Sequence, residues 1–264
     1  MRIQKQFILI FLVIASTLGC KKVLDVNLKN SESQMVITGE INNLPGPYKV
    51  TISKSINFTN DNDFPPVSGA LVTIKSRRIT DTLLEKIPGS YFTSGIKGKP
   101  GESYTLNVSV DGKVFSSTSV MPKPVQLDSL TFLSGRNNAI YPVANFQDPI
   151  NVDNYYQFIE FVNGMTLNNG RGNSVFDDRL SDGRYITSIL YDDSSYIKSG
   201  VTLTVQMNCI DKKVFTYLNE LLQISGSGGG FSSPTPANPE SNISGGVLGY
   251  FSANTVSTKT IDIQ

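Results

Sequence analysis

The sequence predicts a mainly β protein. A β-sandwich is expected over residues 34–122, and a second β-rich domain with one amphipathic helix over 123–264. Three observations predict this. From Met35 to Val120, short runs alternate apolar and polar residues, the period of strands with one buried face. Pro-Gly and Asp-Gly pairs separate those runs and favour tight turns. Only between Asp211 and Ser225 does the apolar spacing change to the 3.6-residue period of a helix.

The first run, MVITGEI, sets Met35, Ile37, Gly39 and Ile41 on one side and Val36, Thr38 and Glu40 on the other. After the turn Pro45-Gly46-Pro47, Tyr48, Val50 and Ile52 alternate with Lys49, Thr51 and Ser53. GALVTIK turns Ala70, Val72 and Ile74 inward. SYFTS follows Pro88-Gly89, and YTLNVSV places Tyr104, Leu106, Val108 and Val110 on one face. Asp111-Gly112 is a two-residue hairpin signal leading into KVFSSTSV. Such a series of short strands makes a sandwich of about 90 residues, and Pro122 and Pro124 mark its exit.

Strands resume with DSLTFL, AIYPVANF and NYYQFIEFV. The third carries Tyr155, Ile159 and Phe161 on one face and Tyr156, Phe158 and Val162 on the other. It is expected to be a central strand covered on both sides. RYITSIL and VTLTVQM continue the pattern. A helix is expected over 211–225, with Val214, Tyr217, Leu218, Leu221 and Leu222 on one face, Asp211 as N-cap and Gly226 as stop. Its leucines are expected in the core. Residues 226–254 are rich in Pro, Gly and Asn, yet carry Ile243, Val247, Leu248, Tyr250 and Phe251. They are expected as an ordered loop laid on the second domain, feeding a last strand, TKTIDI.

The amino-terminal residues follow another pattern. Arg2 and Lys5 precede the nine apolar residues Phe7–Ala15, about half of the roughly 20 that a helix needs to cross a bilayer. Small residues Ser16, Thr17 and Gly19 then lead to Cys20. Residues 1–19 therefore read as a secretory signal peptide. Cys20 resembles the acceptor of a bacterial lipoprotein box, lipidated on sulfur and first in the mature chain. The alternative is ordinary cleavage beside a free cysteine. Residues 20–33 are then a lipidated leader, with Lys21 and Lys22 at the membrane surface.

Removal of residues 1–19 leaves 21 basic and 22 acidic residues, with no basic block to bind nucleic acid. The chain has no histidine. That removes serine–histidine and cysteine–histidine nucleophiles, histidine zinc sites and the usual ligation of haem. With Cys20 acylated, Cys209 has no disulfide partner. It shares a face with Val201, Leu203, Val205 and Met207 and is expected as a buried, inert thiol. No catalytic residue, cofactor or metal is expected. The acidic clusters are Asp61 with Asp63, Asp177 and Asp178 with Asp182, and Asp192 with Asp193. None has the spacing of a calcium-binding loop, and Asp in such segments ordinarily forms turns. SGSGGGF, 225–231, lacks the Lys-Ser/Thr of a phosphate loop and reads as a connector.

Six stretches together resemble a family of Bacteroidota cell-envelope lipoproteins, the domain of unknown function 4249 family. They are CKKVLDV, PPVSGALVTI, GSYFTSGIKGKPGESYTLNVSV, FQDPINVDNYYQF, IDKKVFTYLNEL and, above all, NPESNISGGVLGYFSAN. The resemblance implies an immunoglobulin-like or transthyretin-like amino-terminal sandwich and a second β-rich domain. It implies an envelope setting beside TonB-dependent outer-membrane receptors, and no activity. Cys20, for lipid attachment, is the one functional residue carried over. The expected protein is a non-catalytic lipoprotein of the outer membrane, lipid-anchored at the cell surface rather than the periplasmic face. It is expected to be an accessory or ligand-capture partner of a TonB-dependent uptake receptor. A carbohydrate-binding or adhesive surface module is the alternative, with 11 Tyr and 14 Phe but no Trp to stack on sugars. Asp81-Thr82-Leu83 and Asp128-Ser129-Leu130 also resemble Bacteroidota O-glycosylation signals.

Overall fold

The computed structural model describes residues 33–56, 64–135, 139–167, 173–190, 197–224 and 238–263. Most of them are in strands, arranged as three sheets. The largest has nine strands. Its path runs β12 (Met165–Thr166), β11 (Tyr155–Val162), β15 (Thr202–Ile210), β16 (Leu248–Asp262), β1 (Met35–Asn42), β2 (Lys49–Lys54), β6 (Ser90–Phe92) and β5 (Leu84–Ile87), and β13 (Asn173–Asp177) also pairs with β11. A four-stranded sheet runs β4 (Thr80–Thr82), β3 (Leu71–Lys75), β7 (Ser103–Val110) and β8 (Lys113–Val120). A three-stranded sheet runs β14 (Tyr185–Ile189), β10 (Ile140–Gln147) and β9 (Ser129–Ser134).

The alternation in the sequence explains the first core. Ile37 and Ile41 of β1, Val50 and Ile52 of β2, Val72 and Ile74 of β3, and Tyr104, Leu106 and Val108 of β7 all turn inward. Side chains from the largest and the four-stranded sheets thus meet in one apolar cluster, whose removal from water is the main stabilising term. The hairpin between β7 and β8 closes through Asp111 and Gly112, both at positive φ (50° and 71°), with Val110 opposite Lys113. Those angles match the twist of the flanking strands.

One sheet takes strands from both 34–122 and 123–264. β1 pairs with β16 in parallel, Thr38 opposite Tyr250 and Asn42 opposite Asn254. Every other described pairing between named strands is antiparallel.

This pairing corrects the reading of residues 226–254. Those from Leu248 to Asn254 are the first half of β16, not loop. Gly and Asn are poor strand formers, but the parallel ladder with β1 runs the whole length of this half and supplies what propensity lacks. The segment before β16 does not lie on the second domain either. Ile243 and Val247 join the first core beside Phe115, Phe251 and Ala253.

A second cluster gathers Leu130, Phe146, Tyr156, Phe158, Leu203, Val205 and Met207. β11 is central, between β15 and the pair β12 and β13. Tyr156 and Phe158 face the second core, while Tyr155 faces the helix α1 (Lys212–Ile224). Asp211 caps α1: its Oδ1 accepts the Val214 N–H at 3.0 Å and its other oxygen accepts the Ser119 hydroxyl of β8. Val214, Tyr217 and Leu218 are buried against Tyr155, Val175 and Tyr250. Leu221, expected in the core, is instead 40 % exposed, because the helix meets the sheet over the turn of Val214–Leu218 and Leu221 lies past that contact. No helix among the described residues is long and apolar enough to cross a membrane.

Candidate functional site

Cys20, Asp61, Asp63, Asp192, Asp193 and the SGSGGGF stretch lie outside the described residues. Asp178 and Asp182 do come together, and they meet Asp148, which follows β10. Oxygens of the three carboxylates lie within 4.8 Å of one another. Asp148 and Asp178 are buried and Asp182 is exposed. Asp177 turns elsewhere, to Arg179 Nε at 2.9 Å.

Each of the three carboxylates already accepts hydrogen bonds. Asp148 takes the Tyr156 hydroxyl at 2.5 Å and the Gly183 N–H at 2.9 Å. Asp178 takes the Asn154 N–H and Asp182 the Asn151 N–H, both at 2.8 Å. Burial, then the bond to Asp148 and its charge, pushes the Tyr156 pKa far up, so the phenol stays a donor. Burial also raises the Asp178 pKa, and the Asp148 charge adds to that rise. Three carboxylates form a donor set of the kind that suits a hard cation. Their present bonds staple the 148–154 loop to the 177–184 loop.

Cys209 is buried in the second core and accepts the Val125 N–H at 3.4 Å. Burial pushes its pKa up, which keeps it the thiol rather than the reactive thiolate. Asp81 is buried and bound to the 94–96 turn, while Thr82 and Ser129 are exposed on the edge strands β4 and β9.

Two of the clefts among the described residues are lined largely by polar side chains. One, of about 550 Å³, lies between β8, the first turn of α1 and the segment 240–244. Its hydroxyls are largely committed to the fold: Ser117 donates to Asn242 O at 2.8 Å and Ser241 to Gly249 O at 2.6 Å. The other, of about 450 Å³, lies over β1, β2 and β16, floored by Thr38, Glu40, Asn42, Thr51 and Tyr250. A loop of Leu44, Pro45 and Pro47 walls it.

The family described as a domain of unknown function, DUF4249, matches residues 21–260. The chain belongs to the DUF4249 family. No curated protein matches it. The matched span of this DUF4249 chain includes both clefts, the carboxylate cluster, α1 and nearly all of β16. Asp148 is the residue of its acidic cluster that sequence reasoning missed, since a lone Asp before Pro149 carries no spacing signal. Glu40 was legible only as the polar side of a strand.

Proposed function

We propose that this DUF4249 protein is a non-catalytic outer-membrane lipoprotein, held by acyl chains on Cys20, that captures ligand for a TonB-dependent uptake receptor or stabilises that receptor. The observation that carries the reading is the leader: Arg2 and Lys5, the short apolar run Phe7–Ala15, small residues and then Cys20. Two or three acyl chains hold firmly, at about 0.8 kcal/mol per buried CH2. The family match begins at Lys21, directly after that cysteine. The lack of histidine and the backbone-bonded state of Asp148, Asp178 and Asp182 support a non-catalytic role.

The test is co-purification. The protein is tagged at its carboxyl end, the outer membrane is dissolved in mild detergent, and captured proteins are identified by mass spectrometry. A TonB-dependent receptor in near-equal amount supports the reading. Recovery of the protein alone at modest salt overturns the receptor half. Cys20→Ser tests the anchor: by intact mass the parent protein is expected to carry acyl chains that the variant lacks, and an unacylated parent overturns acylation.

A further inference from the structure

We propose that the cleft over β1, β2 and β16 is a binding site for a neutral, hydroxyl-rich ligand of the mono- or oligosaccharide class. The proposal rests on the ligand-capture half of the function above and names where and what the protein would capture.

The pairing of the strands builds the cleft. Thr38, Glu40 and Asn42 of β1 lie opposite Tyr250, Ser252 and Asn254 of β16, and Thr38 lies opposite Thr51 of β2. Residues paired in this way share a sheet face. The alternate residues Ile37, Ile41, Phe251 and Ala253 enter the core. The face that remains is a polar floor several strands wide, beside the helix α1.

Its hydrogen bonds are incomplete in a particular way. Asn42 Nδ2 donates to Glu40 Oε1 at 2.9 Å and Asn42 Oδ1 accepts the Leu44 N–H at 3.0 Å, which orients the carboxylate and leaves Oε2 without a partner among the described residues. The Tyr250 hydroxyl likewise has none there, while its ring rests against Tyr217 at 5.2 Å. Burial, with the Glu40 charge and Tyr217 adding to it, pushes the Tyr250 pKa up, so this group is an O–H donor at neutral pH.

The chemistry selects the ligand. A free carboxylate oxygen accepts hydroxyl protons, a phenol donates one, and an aromatic ring meets C–H surface. Adjacent hydroxyls on a sugar ring answer both kinds of group at once. Glu40 and Lys49 offset each other in charge, which favours an uncharged ligand. The wall is fixed, since Tyr48 Oη donates to Leu44 O at 2.6 Å and accepts the Gly98 N–H at 3.0 Å. The volume lies within the range of small-ligand sites.

The test uses the full-length lipidated protein in a polyoxyethylene detergent, which carries no sugar headgroup. It is applied to an array of neutral, acidic and amino glycans, and hits are measured by calorimetry. At least one neutral glycan is expected to bind. Glu40→Gln is expected to weaken it about tenfold or more with an unchanged melting temperature, and Lys49→Ala to change it little. If Glu40→Gln melts early, Tyr250→Phe, which removes only a hydroxyl without a partner, is expected to weaken binding several-fold and takes its place. Three results overturn the proposal: no neutral glycan bound; acidic glycans alone bound, with loss in Lys49→Ala; or neutral-glycan binding undiminished in the folded cleft variant. No receptor is present in this assay, so its failure and that of the receptor pull-down are separately visible.

Discussion

Asn242 holds Phe251 by both of its backbone polar groups. Nδ2 donates to Phe251 O at 2.8 Å and Oδ1 accepts the Phe251 N–H at 2.9 Å, so the side-chain amide stands in for a strand neighbour at that point of β16. On its other side the same segment pairs with β8, through Ser244 N–H to Ser116 O at 2.8 Å and Ser116 N–H to Ser244 Oγ at 3.0 Å. The NPESNISGG stretch is therefore a lace between the largest sheet and the four-stranded one.

Asn242→Ala is expected to lower stability by about 2–3 kcal/mol, from two lost hydrogen bonds and the buried backbone groups left behind. In a protein of this size that is a fall in Tm of about 4–12 °C. Asn242→Asp, which keeps an acceptor for the Phe251 N–H and loses the donor, is expected to be destabilised as well. Thermal unfolding followed by circular dichroism checks both, and an unchanged Tm in the Ala variant refutes the lacing role.

Gly249 and Gly246 are expected to respond differently to alanine. Both have positive φ (96° and 71°), but a Cβ at Gly249 would stand 2.0 Å from Ile37 O, whereas one at Gly246 meets nothing within 4 Å. Gly246→Ala is expected to cost about 1 kcal/mol, from backbone strain alone. Gly249→Ala is expected to force β16 away from β1 and to give little folded protein. The soluble yield and the near-ultraviolet circular dichroism of the tyrosines measure the contrast.

Asp81 gathers a turn. Its carboxylate accepts the N–H groups of Ser94, Gly95 and Ile96 at 3.0, 2.7 and 2.8 Å, and the Ser94 hydroxyl at 2.7 Å. Burial alone would raise its pKa, but these donors outweigh it and hold the carboxyl below its ordinary 3.8. A lowered folded value means stability that is present above pH 3.8 and lost as the pH falls through the folded pKa. Asp81→Asn is expected to be about 2 kcal/mol less stable than the parent at pH 7, with the gap narrowing below pH 4. Urea unfolding at pH 7, 5 and 3 measures it.

Asp178 has the opposite sign. Burial raises its pKa and the Asp148 charge adds to that, so folding favours its protonated form. Its contribution is fully present below the unfolded pKa and is lost as the pH rises through the raised folded value. Asp178→Asn keeps an oxygen for the Asn154 N–H and removes the charge. It is expected to raise stability at pH 7 by about 1 kcal/mol, or about 2–4 °C in Tm, and to make no difference at pH 3. A lower Tm at pH 7 would show that the ionised carboxylate is needed there.

Alternation revealed β1, β2, β3, β7 and β8 because each buries one face. It missed β4, β5 and β12, which are two to four residues long, and β5 buries none of its residues. The helix was legible because Asp211 marks its start and its period differs from that of its surroundings. The cleft was not. Glu40 and Asn42 read as the wet side of a strand, and nothing local places Tyr250 beside them. That neighbourhood depends on parallel pairing between segments about 200 residues apart in the chain. The carboxylate cluster failed for the same reason, since Asp148 reaches Asp178 and Asp182 only after β10 and β14 have paired.

The parallel seam between β1 and β16 also sets a timetable. A ribosome adding about 5–20 residues per second makes β16 roughly ten to forty seconds after β1. Through that interval β1 has no partner on one edge, and the first core waits for Ile243, Val247, Phe251 and Ala253. The amino-terminal half of the nascent chain is thus held short of its finished state, its open edge exposed to other chains, until the strand that closes it has been synthesised.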